Sequence, residues 1–214
     1  MMVDHEKRVA AEAAALLVES GMTVGLGTGS TVAHLIPALA RRSLDIRCVA
    51  TSNRTELEAL RHGLYVEPFD HLDRLDIAID GADQIDPVGW LVKGGGGAHM
   101  REKIVAASAD RFVVIADSTK AVAALHGPIP VELLAFGLSS TLRRAGRIRL
   151  RDAPVSPDGG MIGDYDPEPG LDPAALSTML AAISGILAHG LFPPSLVHDV
   201  LIANGAAVEH RRIG

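Results

Sequence analysis

Cysteine is nearly missing from this chain of 214 residues. The single thiol, Cys48, lies in the apolar run IRCVAT, so no intramolecular disulfide can form, and it reads as an ordinary buried thiol. Aromatic side chains make up 3% of the composition while apolar residues reach 48%. The core must therefore be assembled from Ala, Val, Leu and Ile, as buried parallel sheets usually are. No apolar run is long enough for a membrane span. The N-terminus MMVDHEKRVAAEAAALLVES carries acids and no cleavage pattern, which argues against a secretory signal. Nor is there a basic excess: the formal net charge is −6, against general nucleic-acid binding, which wants a basic face. The histidines show no His-x-x-x-His spacing and there is no Cys-x-x-Cys, so a zinc site is not expected. These absences leave a soluble cytoplasmic protein of one large or two smaller domains, with no nucleic-acid and no membrane partner.

Strands and helices alternate along the first part of the chain. Residues 5–19 read as a helix that Gly21 ends. MTVGLG reads as a strand, with Ser30 or Thr31 capping the helix after it. IRCVAT is the next strand, followed by a helix that Thr51 or Ser52 caps and Gly63 ends. LDIAID, WLV and RFVVIAD read as further strands, with a helix over 98–109. This order predicts an open, mostly parallel α/β sheet with helices on both faces. From about residue 128 the order becomes βαββαβ, the split βαβ of ferredoxin-like folds, with Pro157-Asp158-Gly159-Gly160 turning the central hairpin. Asn204-Gly205 marks a further hairpin that returns to the first domain. The expected division is 1–127 plus 200–214 for the α/β domain and 128–199 for the smaller one.

Chemistry concentrates in a few runs. GLGTGST is a strand, a Gly-rich turn and a helix start, a unit that cradles phosphate with backbone amides. It lacks the lysine of a P-loop. A dinucleotide fingerprint would need glycine at Ser30 and an acid where the second strand ends Ala50-Thr51-Ser52. A smaller phosphate remains, beside the plain reading of a tight turn. Asp80-Gly81-Ala82-Asp83 ends a strand, where ligand crevices of open sheets lie. Its acids could bind hydroxyls and move protons, hold a metal with Asp86, or form a solvated turn. Lys93 then opens the loop Gly94-Gly95-Gly96-Gly97, whose backbone can approach a ligand closely. Arg101-Glu102-Lys103 follows on a helix, either as exposed charges or as a site with Glu102 on its first turns. Lys120 ends the run Asp117-Ser118-Thr119-Lys120, another cation at a strand end.

At GLGTGST, DGAD, KGGGGAHMREKIV and IADSTK the chain closely resembles the type A ribose-5-phosphate isomerases, in the same order and spacing, and PIPVELL adds to the likeness. The resemblance covers nearly the whole chain. It implies an α/β domain plus a ferredoxin-like one, no metal or organic cofactor, and a homo-oligomer, a homodimer by preference. Carried over by position, Glu102 matches the catalytic proton acceptor. Thr28, Gly29, Ser30, Thr31, Asp80, Gly81, Ala82, Asp83, Lys93, Gly94, Gly95, Gly96 and Lys120 match substrate-binding positions. The C-terminal third departs: Pro157-Asp158-Gly159-Gly160 stands where the family usually shows Asp-Asn-Gly-Asn, and Ile183-Ser184-Gly185 replaces Ile-Pro-Gly.

The expected reaction interconverts ribose 5-phosphate and ribulose 5-phosphate through an enediolate. Glu102 would carry the carbon-bound proton. Lys93 and the amides of Gly94 to Gly97 would stabilise the oxyanion. Asp80 and Asp83 would orient hydroxyls, one of them assisting ring opening. Ser30, Thr31 and Lys120, with Lys7 as a weaker candidate, would hold the phosphate. The rivals are a sugar-phosphate sensor without catalysis and a metal-dependent enzyme built on Asp80, Asp83 and Asp86.

Overall fold

The computed structural model describes residues 2–170 and 172–213. The first part of the chain runs α1 (Met2–Ala15), β1 (Thr23–Leu26), α2 (Val32–Ala40), β2 (Arg47–Ala50), α3 (Asn53–Arg61), β3 (Tyr65–Val66), β4 (Ile77–Gly81), β5 (Gln84–Ile85), β6 (Leu91–Val92), α4 (His99–Ala107) and β7 (Phe112–Asp117). The second part is β8 (Ile129–Leu133), α5 (Leu138–Ala145), β9 (Ile148–Leu150), β10 (Met161–Tyr165), α6 (Pro173–Ala181) and β11 (Ile186–His189). It closes with β12 (Leu191–Phe192), β13 (Asp199–Asn204) and β14 (Ala207–Arg212). Among the described residues, no helix is long and apolar enough to cross a membrane.

Seven strands form the main sheet in the order β14-β13-β7-β4-β1-β2-β3. All neighbours run parallel except the edge pair β13–β14. The strand period of two splits the core between the faces. Ile77 and Ile79 pack with α1 and α2 through Ala10, Ala14, Leu35 and Leu39. Ala78, Val114 and Val200 pack on the opposite face with Val105 and Ala106 of α4. Alanines on α1 let that helix lie close to the sheet, which is how so few aromatic residues suffice.

The smaller sheet has the order β11-β8-β10-β9 and is antiparallel throughout, the ferredoxin-like arrangement that the βαββαβ order predicts. A third sheet, β12-β6-β5, joins the two parts: Leu191 and Phe192 pair with Val92 and Leu91. Neither the two-residue strands β3, β5 and β12 nor this junction has a periodicity to announce it.

Local differences from expectation have local causes. The first helix begins at Met2 and ends at Ala15, not Glu19. Neither Ser30 nor Thr31 caps α2 with its side chain; Ser30 Oγ instead accepts from Lys7 Nζ at 3.0 Å. Ser52 caps α3, accepting from the Thr55 N–H at 3.3 Å. The terminal hairpin turns at Gly205-Ala206, one residue later than Asn204-Gly205, because Asn204 pairs with Ala207. Gly205 alone supplies the positive φ there, 60°.

Gly190 shows why the junction needs a glycine. Lys93 N–H donates to Gly190 O at 2.8 Å, and Gly190 N–H to Pro130 O at 2.7 Å. A Cβ on Gly190 would overlap the Lys93 carbonyl, which is backbone and cannot swing aside. Gly190→Ala should therefore destabilise the fold by about 1–3 kcal/mol and lower turnover by shifting Lys93. Urea unfolding midpoints and initial rates check both effects.

Candidate active site

Three separate stretches meet at the C-terminal ends of β1 and β4. Asp80 follows Ala78 on the face of β4 that looks toward α4. On α4 the buried residues are His99, Glu102, Val105 and Ala106, so the helical period turns Glu102 inward and leaves Arg101 and Lys103 half-buried. Lys93, released from β6, reaches between the two acids. Its Nζ lies 2.8 Å from Asp80 Oδ2 and 3.2 Å from Glu102 Oε2, with all three side chains at 3–4% exposure. The ammonium aligns best with a third group, donating to Gly81 O at 2.5 Å. Asp80 Oδ2 and Glu102 Oε2 consequently sit at ion-pair distance without an aligned donor. Phe192 backs the cluster, with Lys93 Nζ 5.5 Å and Lys103 Nζ 4.9 Å from its ring centroid, in cation–π range.

One ammonium cannot neutralise two buried carboxylates. Burial raises both acids and Lys93 pulls both back; for Glu102 the neighbouring Asp80 charge adds to the rise, to about 8. Burial alone would lower the Lys93 ammonium, yet Asp80 and Glu102 hold it raised. The two acids differ in their other partners. Asp80 Oδ1 accepts the N–H groups of Gly81 at 2.7 Å and Thr28 at 3.1 Å, whereas no described donor aligns with Glu102 Oε2. Asp80 thus has the better claim to the negative charge, and Glu102, raised and with fewer donors, is the acid placed to exchange a proton near neutrality. Gly27 makes room for this, because a Cβ there would overlap the Asp80 carboxylate.

Beside the cluster lies a cavity of about 190 Å³. Thr28, Gly29, Ser30, Thr31, Gly81, Ala82, Asp83, Lys93, Gly94, Gly95, Gly96, Glu102, Lys120 and Lys7 line it. One end is cationic. The Gly29–Thr31 turn that leads into α2 lies there with Lys7 and Lys120, an arrangement suited to a phosphate. Glu6, next to Lys7 on α1, accepts from Ser118 N–H and Oγ–H and from Gly205 N–H, which ties α1 to the end of β7 and to the hairpin. Lys120 sits on the 3-10 turn that Asp117 caps through Thr119 N–H. The hydroxyls of Thr51 and Ser52 bond Thr28 Oγ1 at 2.8 and 2.9 Å, so the end of β2 braces the loop.

The family model of ribose 5-phosphate isomerase A (phosphoriboisomerase A) matches residues 47–206. The chain belongs to the ribose 5-phosphate isomerase A family. It is 45% identical to ribose-5-phosphate isomerase A of Rhodopseudomonas palustris over 205 residues, 87% of this chain and 88% of that protein. With the enzyme of Methanosarcina acetivorans it shares 46% identity over 202 residues, 87% and 86% of the two chains. A crystal structure of ribose 5 phosphate isomerase A from Neisseria gonorrhoeae superposes with TM-score 0.93 at 30% identity, covering 99% of this chain and 97% of that one. A D-ribose-5-phosphate isomerase in complex with phospho-erythronic acid gives 0.92 at 31%, covering 99% and 100%.

For a member of this isomerase family, the site departs from the sequence expectation in two places, at Asp80 and in the glycine loop. Asp80 does not line the cavity; it stands behind Lys93 as its counter-ion, and Asp83 faces the cavity with Oδ2 accepting Gly95 N–H at 2.8 Å. Not all the glycine amides are available, since Gly97 N–H donates to Gly94 O at 3.1 Å and Gly95 N–H to Asp83. Asp86 turns away to cap its own loop, its Oδ1 accepting from Val88, Gly89 and Trp90. Among the described residues, no three His, Cys, Asp or Glu side chains stand together as metal ligands. Lys7, the weaker phosphate candidate of the sequence, lines the cavity together with Lys120.

The raised Glu102 pKa links stability to pH. The unfolded carboxyl titrates near 4.5 and the folded one at about 8. Between these values the native state keeps a proton that the unfolded state has released, so stability erodes as pH rises and levels off above the folded value. Glu102→Gln removes this loss. Its Tm advantage over the native chain should widen from about pH 5 to about pH 8 and then stay constant; a pH-independent difference in differential scanning calorimetry would contradict the assignment.

Proposed function

We propose that Glu102 is the base and Lys93 the electrophile with which this chain interconverts D-ribose 5-phosphate and D-ribulose 5-phosphate. The observation that carries the assignment is the 3.2 Å approach of Lys93 Nζ to Glu102 Oε2 at the wall of a phosphate-suited cavity. In the aldose-to-ketose direction Glu102 removes the proton on C2. The C–H electrons form the C1–C2 double bond, and the carbonyl π electrons move onto O1. Lys93 stabilises that oxygen, and the proton held by Glu102 returns to C1. The O2 hydroxyl gives up its proton as the new carbonyl forms, and O1 takes one up to become the C1 hydroxyl, so the net change at the oxygens is a proton moved from O2 to O1. Asp83, which faces the cavity, moves hydroxyl protons and assists ring opening, while Asp80 keeps Lys93 charged and oriented. Gly29, Ser30, Thr31, Lys7 and Lys120 hold the phosphate at the far end. A glutamate base paired with an electrophile follows the chemistry of triosephosphate isomerase on an unrelated fold.

The ligand named for the relative, phospho-erythronic acid, fits this scheme. Its carboxylate carries two oxygens on one planar carbon, as an enediolate does on two, and its phosphate suits the cationic end. A purely sugar-phosphate-sensing protein would have no use for a base and an ammonium buried against each other. On the family resemblance, the chain is a cytoplasmic homodimer. Phe136, 87% exposed, and the neighbouring Leu134 offer apolar surface for such a contact.

Glu102→Gln should lower kcat by about 10²–10⁴-fold while phospho-erythronic acid still binds; a near-native rate would remove Glu102 from the base role. In the native protein, kcat/KM should rise with pH as free-enzyme Glu102 ionises, with an inflection near its value of about 8. Lys120→Ala should chiefly raise KM, because it touches only the phosphate end. A fall in kcat at unchanged KM would contradict that role.

A further inference from the structure

A loop of four glycines has no side chains to hold its shape, and two of its residues adopt positive φ, 107° at Gly94 and 71° at Gly97. Its amides can stabilise charge only if something outside the loop fixes its peptide planes. The second sheet supplies a candidate. Arg151 follows β9, and its Nη1 donates to Gly94 O at 2.9 Å and Gly95 O at 3.2 Å. The same guanidinium is gripped from behind by Asp164 of β10, through Nε to Oδ2 at 2.9 Å and Nη2 to Oδ1 at 2.7 Å. Both side chains are mostly buried, at 22% and 15% exposure.

A trans peptide sends its C=O and N–H in opposite directions. With the Gly94 carbonyl turned to Arg151, the Gly95 N–H points the other way and meets Asp83 Oδ2 at 2.8 Å. With the Gly95 carbonyl turned to Arg151, the Gly96 N–H also points away from the guanidinium. Gly96 lines the cavity, and its N–H donates to no group among the described residues. We infer that Arg151, anchored by Asp164, is a positioning residue that orients the Gly96 N–H as an oxyanion donor for the isomerisation and keeps Asp83 in place. The inference rests on the proposed function and adds to it a reason for the second domain: its β9–β10 hairpin shapes the reaction centre without touching the substrate. Lysine could not replace Arg151, since a point charge cannot span two carbonyls and a carboxylate at once.

The test compares Arg151→Ala, Arg151→Lys and Asp164→Asn with the native chain. Each is assayed for kcat and KM with ribose 5-phosphate, and for inhibition by phospho-erythronic acid and by inorganic phosphate. Arg151→Ala should lose about 100-fold in kcat, the scale for a misplaced reacting group or a lost oxyanion donor. Affinity for phospho-erythronic acid should fall with it, while inorganic phosphate inhibits as before because its cradle lies elsewhere. Arg151→Lys should recover only part of the rate, and Asp164→Asn should fall between. A kcat for Arg151→Ala within about threefold of native overturns the inference, as does an equal loss of inorganic phosphate affinity, which would mark general collapse of the site. If Arg151→Ala does not fold, the other two variants decide by the same criteria. Failure of the underlying reading would show separately, as retained turnover in Glu102→Gln.

Discussion

The structure turns on one buried ammonium held between two carboxylates. Removing such charges from water costs several kcal/mol each, and Lys93 repays only part of that to Asp80 and Glu102. The imbalance is chemically useful. A carboxylate fully paired with a lysine would be a weak base, and one buried without a partner would stay protonated through the physiological range. Glu102 lies between these limits because burial and Asp80 raise it while Lys93 pulls it back. Much of the surrounding construction serves this arrangement: Gly27 clears space for Asp80, Gly190 allows the Lys93 backbone to approach β12, and Gly81 O accepts the best-aligned proton of the ammonium.

The main sheet places the cluster where open α/β sheets place ligands, at the carboxyl ends of their strands. Fold alone does not give chemistry; here the chemistry comes from what stands at those ends. On the proposed function, the turn before α2 and two lysines take one end of the cavity, and the base and electrophile take the other. Substrate held in that way by its phosphate lets binding energy from the unreactive group position the reactive one. His99 and His189, behind this wall, are lowered mainly by burial, to about 3 and about 4, and add no competing positive charge near the loop.

Much of this was legible in the linear chain. The alternation of apolar runs with capped helices predicts the parallel sheet, and the change of rhythm after residue 128 predicts the ferredoxin-like sheet, because strand and helix periods are local properties. The motif residues were also legible, since glycines and charges at strand ends rarely serve a core. The misses share a cause. Asp80 and Asp83 look equivalent in sequence, yet the pleat sends one toward α4 and leaves the other at the cavity. Arg151 and Asp164 carry no local mark, and Lys7 stands out only weakly, because their partners are 57, 13 and 23 positions away. The two-residue strands that join the sheets are too short to show any period.

The sequence by itself therefore determined the longer elements, the family and the inventory of reactive groups, because these follow from short-range periodicity, turn chemistry and motif spacing. Only the tertiary structure decided how the groups divide their labour. Which acid takes the better donors beside Lys93, and which glycine amides remain unpaired, depend on burial and on contacts between distant segments. Those quantities exist only once the chain has closed around the site.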